Sequence, residues 1–454
     1  MKIFKVIILL VLSVSSAAAA EIEIQPLDKD LNPVKEEISF DKYNFKLEDA
    51  VKIALRQNRS VIDSDISYDK ASSSVGEART AMSTKVSANF KQTRLGYRTV
   101  MAATGAPLNK KDTQSYYVEL SQPLFLGKKD RAALESARIG RDIAGFSKTL
   151  TKQQIIMIVS MRYYSWLFAR AVESVGKEDL DLAQAHFELV SKRYAAQQTS
   201  KYEVLRAEVR LTQSKSAYLK SQNDAKLAEL DLLNVLSLPI DGGIDTKAKL
   251  VAIDYEAELD KDLETAKKVR EDIKIKTKMQ DIAQQTMVAA KGENQPVVSL
   301  WAQYGVEDPS SRYSGAFKRD DYWMAGLVMN VPIVDAGLTK SKVAKAHTEI
   351  RKAKNDLEDT LEQAELEIRQ AALTLHSSAE IVAAQKENMK QAEETVRLAK
   401  VRYENGIFTQ VDLFDAENAW SNTKLLYNQA VLGHHNARLA YQLAVGNLGR
   451  ELLK

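Results

Sequence analysis

The chain contains no cysteine. That excludes a disulfide framework, a thiolate nucleophile, a zinc–thiolate centre and a lipid-anchored N-terminal cysteine. Charge of one sign is not in excess either: 64 Lys and Arg face 61 Asp and Glu, for a net +3. No basic surplus is available to neutralise a phosphate backbone, so no nucleic-acid partner is expected. Long hydrophobic runs are missing after residue 20. The nearest candidate, Ile155 to Ala169, is interrupted by Arg162 and several polar residues, so a helical membrane span is not expected. No glycine-rich phosphate loop is present, and no nucleophile–base constellation suggests an enzyme. No cofactor is expected. The 10 methionines are scattered, which does not suggest a copper strip.

Residues 1–20 read as a secretory signal peptide. Lys2 and Lys5 form a short positive region, Val6 to Leu12 an apolar one, and Ala17 to Ala20 a small-residue cleavage site. Residues 21–46 follow as an N-terminal extension.

Proline is scarce, and its positions map the chain. The 8 prolines lie at 26, 33, 107, 123, 239, 296, 309 and 332. Proline breaks a helix interior because it lacks an N–H and clashes with the preceding turn. Two proline-free blocks result, one from 124 to 238 and one from 333 to the end. In the second, large residues recur every seventh place: Leu361, Ile368, Leu375, Val382, Met389, Val396 and Tyr403. Three places after most of them stands a small residue, as in Ala364, Ala371, Ser378, Ala392 and Ala399. That is the heptad pattern of long helices packed with coiled-coil geometry. A single helix from Gly337 to Tyr403 would be about 100 Å long.

The two blocks repeat one another. A shift of 209 carries Pro123 onto Pro332, Ala137 onto Ala346, Arg193-Tyr194 onto Arg402-Tyr403 and Glu208 onto Glu417. The expected boundaries are a first repeat over 47–238, a linker over 239–262, a second repeat over 263–447 and a tail over 448–454. Each repeat opens with a shorter helix, at Leu47-Glu48-Asp49-Ala50 and at Leu263-Glu264-Thr265-Ala266. Between the short and long helices the period becomes twofold, over Val86–Arg98, Tyr116–Phe125, Val297–Tyr304 and Tyr322–Ile333. In the last of these Trp323, Ala325, Leu327, Met329, Val331 and Ile333 share one face, with Gly326 and Asn330 opposite. Each segment has about the length of a tilted barrel strand. Four strands cannot close a barrel, and open edges are not tolerated in lipid. Either several copies pool their strands, or the hairpins are exposed to water on a helical protein.

The order helix, strand, strand, long helix, helix, twice over, resembles the TolC-like outer-membrane efflux protein family. The junctions Ser121-Gln122-Pro123-Leu124-Phe125 and Asn330-Val331-Pro332-Ile333-Val334-Asp335-Ala336-Gly337 carry the resemblance. So does the turn Arg402-Tyr403-Glu404-Asn405-Gly406 with Thr409-Gln410-Val411-Asp412-Leu413-Phe414-Asp415-Ala416. The resemblance implies a mixed α/β membrane protein. Coiled-coil helices would form a periplasmic tunnel, and four strands per chain would enter a shared 12-stranded barrel of a homotrimer. Trp323, Ala325, Leu327, Met329 and Val331 would face outer-membrane lipid. The partners implied are a periplasmic adaptor and an inner-membrane efflux transporter or secretion ATPase, in a Gram-negative envelope.

The resemblance also places a periplasmic constriction at Asp412 and Asp415, three apart on one helix face. Threefold rings of carboxylates there would favour cations. It assigns a closing hydrogen bond to Tyr403 with Glu203 as partner; Arg206, which the 209-residue shift aligns with Asp415, is a further candidate to pair across the tip. A simpler reading leaves Asp412 and Asp415 as acidic residues at the positive end of a helix. The hairpin turns at Gly406 and Gln197 are expected to meet the adaptor. Gln197 stands where the second repeat has Gly406, so the two tips need not share a shape. Of the 5 histidines, only His434 and His435 adjoin. Neighbours on a helix point apart, so they make a poor metal pair, and a surface or tunnel-wall position is expected. A pore-free periplasmic coiled-coil scaffold or adaptor-type protein is the alternative function, and the strand pairs speak against it.

Overall fold

The computed structural model describes residues 42–43, 46–97, 100, 103–104, 110–241, 243–244, 248–308 and 319–449. The signal peptide, nearly all of the N-terminal extension and the last tail residues lie outside these. Eight helices and six strands are assigned among the described residues. In chain order they are β1 (Lys42–Tyr43), α1 (Leu47–Gln57), α2 (Arg59–Thr80), β2 (Lys85–Arg94), β3 (Asp112–Leu126), α3 (Lys129–Ala195), α4 (Lys201–Val235), β4 (Gly243–Ile244), α5 (Leu259–Val269), α6 (Glu271–Gly292), β5 (Val297–Asp308), β6 (Asp320–Asn330), α7 (Leu338–Glu404) and α8 (Gln410–Val445).

The duplication is visible in the backbone. α3 and α7 are both 67 residues long and start and end 209 positions apart, at 129 and 338 and at 195 and 404. Among the described residues four non-glycine residues hold a left-handed φ: Lys128, Gln197, Ser237 and Ala336. Shifted by 209 in one direction or the other, they meet Gly337, Gly406, Gly446 and Gly127, all at φ between +68° and +85°. At each of these turns one repeat carries the glycine that the conformation favours and the other holds the same backbone with a side chain.

The chain divides into two compact units. Among the described residues, the first comprises those of 69–142 and 278–355, and the second those of 42–68, 143–277 and 356–449. The first unit contains a four-stranded antiparallel sheet in the order β2-β3-β5-β6. The register sorts its side chains by face. Val86, Ala88 and Phe90 align with Leu120, Val118 and Tyr116, then with Ala302, Tyr304 and Val306, then with Ala325 and Trp323. The opposite face carries Ser87, Asn89 and Lys91 against Glu119, Tyr117 and Ser115. β6 ends at Asn330, so Val331 and Ile333 lie beyond the ladder although both are exposed. Pro332 has no N–H to continue it.

The core of the second unit is built on α3. Ile155, Ile156, Val159, Tyr163, Trp166 and Leu167 pack with Ala50, Val51 and Ala54 of α1, Leu232 and Leu233 of α4 and Leu439 of α8. Among the described residues α3 alone is long and apolar enough to cross a membrane, and 44% of that apolar window is buried in protein, Ile155, Ile156, Val159, Trp166 and Leu167 included. A smaller cluster joins Ala266, Ile368, Leu375, Ala437, Tyr441 and Val445. The heptad residues Ile368, Leu375 and Val382, with Ala364 and Ala399, are the buried stripe of α7. Side-chain contacts give the helix order. Asp179 of α3 accepts from Arg210 and Ser214 of α4, at 2.5 and 2.6 Å. Tyr164 of α3 stacks on His435 of α8, and Ser378 of α7 meets His434 of α8. α4 and α7 are thus the outer members, with α3 and α8 between them.

The short helix expected in each repeat is two helices, and the second pair begins at Leu259 rather than Leu263. Asn58 makes the first break: its side-chain oxygen accepts from Ser60 N at 2.9 Å and its amide donates to Val235 O at 3.0 Å. The second break falls at Arg270, whose Nη1 donates to Ala444 O at 2.9 Å, the carbonyl 209 places beyond Val235. Both residues fasten the short helices to the last helix of their repeat.

His434 and His435 are not surface residues. They are 3% and 1% exposed, and each bonds a carbonyl of the segment after β4, at Ile253 and at Val251. The heptad pattern marks which face of α8 is apolar, but not that a segment without regular structure lies against it.

Candidate functional site

Two features of the fold are candidates for function: the two hairpin tips of the second unit and the two faces of the sheet in the first.

Each tip joins a long helix to the next helix through a left-handed residue. In the first, Gln197 N donates to Tyr194 O at 2.9 Å and Gln198 N to Arg193 O at 2.8 Å. In the second, Gly406 N donates to Tyr403 O at 3.0 Å and Ile407 N to Arg402 O at 2.8 Å. Both are the paired-bond helix ending in which a left-handed residue lets the last carbonyls find donors. The tips therefore have one backbone shape despite Gln197, at φ +57° against +73° for Gly406.

The starts of the following helices differ. Ser200 caps α4 by accepting from Glu203 N at 3.4 Å. Thr409 and Asp412 form a reciprocal box at α8: Asp412 N donates to Thr409 Oγ1 at 3.3 Å, and Asp412 Oδ2 accepts from Thr409 N at 2.8 Å. The Thr409 hydroxyl adds a bond to the same oxygen at 2.7 Å. These bonds to Thr409 hold the Asp412 carboxyl below its ordinary range, so it is ionised and committed to the cap. Asp415, one turn on, is exposed, and neither it nor Arg206 forms an ion pair within the chain among the described residues. Arg206 lies over the Tyr202 ring at 5.7 Å.

Tyr403 sits where α7 meets α3. Its ring is 5.4 Å from His186, and the Arg193 guanidinium lies 5.5 Å from its centroid. Burial pushes its phenol up; Arg193 pulls it down and the charge of Glu203 raises it again. No Tyr403–Glu203 hydrogen bond occurs among the described residues, so Glu203 reaches the phenol through its charge alone.

Sequence reasoning missed His186. It is 7% exposed, accepts at Nε2 from Gln410 Nε2 at 2.9 Å and meets Phe414 edge-on at 4.9 Å. Desolvation first, and Arg193 second, lower its pKa to about 4. A little above the tip, Asp179 and Arg210 face the buried Glu417, whose carboxyl burial raises and Arg210 partly restores. A histidine and an aspartate beside heptad positions were the available signals.

On the sheet, Trp323, Ala325, Leu327 and Met329 stand on the apolar face. Trp323, Leu327 and Met329 are about 60% exposed. On the opposite face the Trp301 ring covers Gly326: a Cβ there would come within 3.1 Å of the indole nitrogen.

The sequence pattern of the outer membrane efflux protein family matches residues 50–237 and 263–447, so the chain belongs to that family. It is 23% identical over 325 residues to nodulation protein T of Rhizobium leguminosarum bv. trifolii, covering 69% of this chain and 67% of that protein. Its fold is shared with the CmeC outer membrane channel of Campylobacter jejuni, at TM-score 0.75 and 17% identity, covering 88% of this chain and 85% of that one. VceC, the outer membrane protein of Vibrio cholerae, superposes at 0.73 with 19% identity, over 88% and 96% of the two chains. The open state of the Neisseria gonorrhoeae MtrE channel does so at 0.73 with 18% identity, over 88% and 89%. The protein is an outer-membrane exit channel with its helices in the periplasm.

Proposed function

We propose that three copies of this chain form one duct, with twelve pooled strands in the outer membrane and twelve helices in the periplasm. It would serve as the exit of a tripartite efflux pump or a type I secretion system. The observation that carries this is the open sheet. Among the described residues β2 and β6 each have one unpaired side, and the face they share is apolar and exposed. Lipid does not tolerate unpaired strand edges, and further copies of the same sheet would cap both. The outer helices support the same reading. α4 exposes Leu205, Val209, Leu219 and Leu227, and α7 exposes Leu366, Leu373 and Ile381. In the trimer these two stripes would cover one another across the symmetry axis.

The lipid face would be Trp323, Ala325, Leu327 and Met329 with the aligned residues of β2, β3 and β5. The tips at Gln197 and Gly406 would meet a periplasmic adaptor coupled to an inner-membrane transporter or secretion ATPase. Asp415 would be the freer member of the acidic constriction, since Asp412 is spent on its helix cap. Tyr403, Glu203 and Arg206 would hold the closed tip.

Single-channel conductance tests the gate, and native mass measurement in detergent tests the assembly. Asp415→Ala should weaken cation selectivity and inhibition by multivalent cations more than Asp412→Ala. A stable monomer would overturn the assembly, and unchanged selectivity in the double variant would overturn the gate.

A further inference from the structure

His434 and His435 do a job that neither the fold nor the duct requires of histidine. Residues 248–258 run without helix or strand between β4 and α5, with the side chains of Val251 and Ile253 exposed. Two ring–carbonyl bonds hold this strap to α8: His435 Nε2 to Val251 O at 2.8 Å and His434 Nε2 to Ile253 O at 2.9 Å. A carbonyl only accepts, so both rings carry their proton on Nε2 and present a lone pair at Nδ1.

The two lone pairs meet different surroundings. His434 Nδ1 lies 2.9 Å from Ser378 Oγ, which can also donate to Leu375 O at 2.7 Å. Ser378 thus gives His434 Nδ1 a hydrogen-bonding partner. His435 Nδ1 is buried with no partner among the described residues. A proton there would be an unpaired buried donor on a charged ring. The ring is stacked flat on Tyr164 of α3, with centroids 4.0 Å apart at 13°. The charges acting on it are Arg438 and His434, both of which oppose a second cation. Arg438 is held nearby by its bond to the Tyr164 hydroxyl at 3.1 Å. Of the charged and titratable groups on the strap and α7, Asp254, Tyr255, Glu256, Arg369 and His376 line a cavity of about 740 Å³ on the His434 side, and Lys249 and Glu258 of the strap do not.

We propose that His435 is a proton-operated clasp: neutral, it holds the 248–258 strap on α8, and protonation releases the strap and opens the cavity between the strap and α7. His434, whose Nδ1 has Ser378 as partner, holds the strap beside it. Burial keeps the His435 ring neutral down to about 4 in the closed form, against an ordinary value of 6.5. Release is therefore favoured as pH falls through that window, by about 30-fold between pH 7.5 and 5.

Hydrogen exchange of the full chain in detergent, corrected for intrinsic pH dependence, tests this. Peptides covering 248–258 should open about 30-fold more at pH 5 than at pH 7.5, while those covering Ile155 to Leu167 stay protected. His435→Gln should remove the pH dependence of the strap, and His434→Gln should keep it. A strap whose protection does not change with pH overturns the proposal, as does a pH dependence that survives His435→Gln. If His435→Gln does not fold, the wild-type profile decides: strap and core helix opening together in acid would also overturn it.

Discussion

Replacing Gly406 by alanine isolates one term of the tip's energetics. A Cβ at Gly406 meets no atom within 4 Å, so no packing clash enters. What remains is φ +73°, where an L side chain costs about 1–2 kcal/mol. Alanine's smaller entropy loss on folding offsets about 0.5–1 kcal/mol of that. The net is about 1 kcal/mol, or roughly fivefold in the local opening of the helix end. The first tip supplies the reverse experiment, since Gln197 already bears the penalty at φ +57°. Gln197→Gly should gain about 1 kcal/mol by the same two terms, and Gln197→Ala should be nearly neutral. Hydrogen exchange of peptides spanning 192–203 and 401–412, read at one pH, measures all three. If Gly406→Ala exchanges like the wild type, or Gln197→Gly opens its tip, the left-handed turn is not the restraint inferred.

Arg270→Ala should cost about 2–3 kcal/mol in denaturant unfolding. It strands Asp272 and Glu367, which Arg270 pairs at 2.6 and 2.8 Å but which are themselves a third or more exposed. Arg270→Asn should cost less, because Asn58 makes the equivalent bond in the first repeat; equal losses would refute the latch. His186 has its folded value depressed to about 4, so its stabilisation is full above 6.5 and is lost as pH falls from there toward 4. His186→Gln should flatten the acid loss of stability by about 2 kcal/mol between pH 7.5 and 5, and an unchanged slope would count against its burial as the cause. Leu327→Arg should cost about 2–4 kcal/mol if it lies near the bilayer midplane, while Val328→Arg on the other face should cost little; equal effects on assembled barrel yield would reverse the face assignment.

The sequence by itself determined the periodic parts of this protein. Heptads and proline positions located the second 67-residue helix to within a residue, and the 209-residue shift pointed to its counterpart in the first repeat, because helical and strand periods repeat along the chain and are read locally. Twofold alternation placed the strands and grouped Trp323, Ala325, Leu327 and Met329, though it ran on past Asn330, where Pro332 cannot continue the ladder. The second unit's buried polar groups were decided only by tertiary structure. His186 meets Gln410 across 224 positions, Arg270 meets Ala444 across 174, and His434 and His435 meet a strap more than 180 positions away. A polar residue beside a heptad position looks the same in sequence whether it faces water or a carbonyl. Only the fold supplies the partner that makes its burial affordable. The tips divide the same way: Thr409 and Asp412 announce a cap in four residues, whereas the equality of the Gln197 and Gly406 turns had to be seen, because side-chain identity predicts a preference for left-handed backbone and not its adoption.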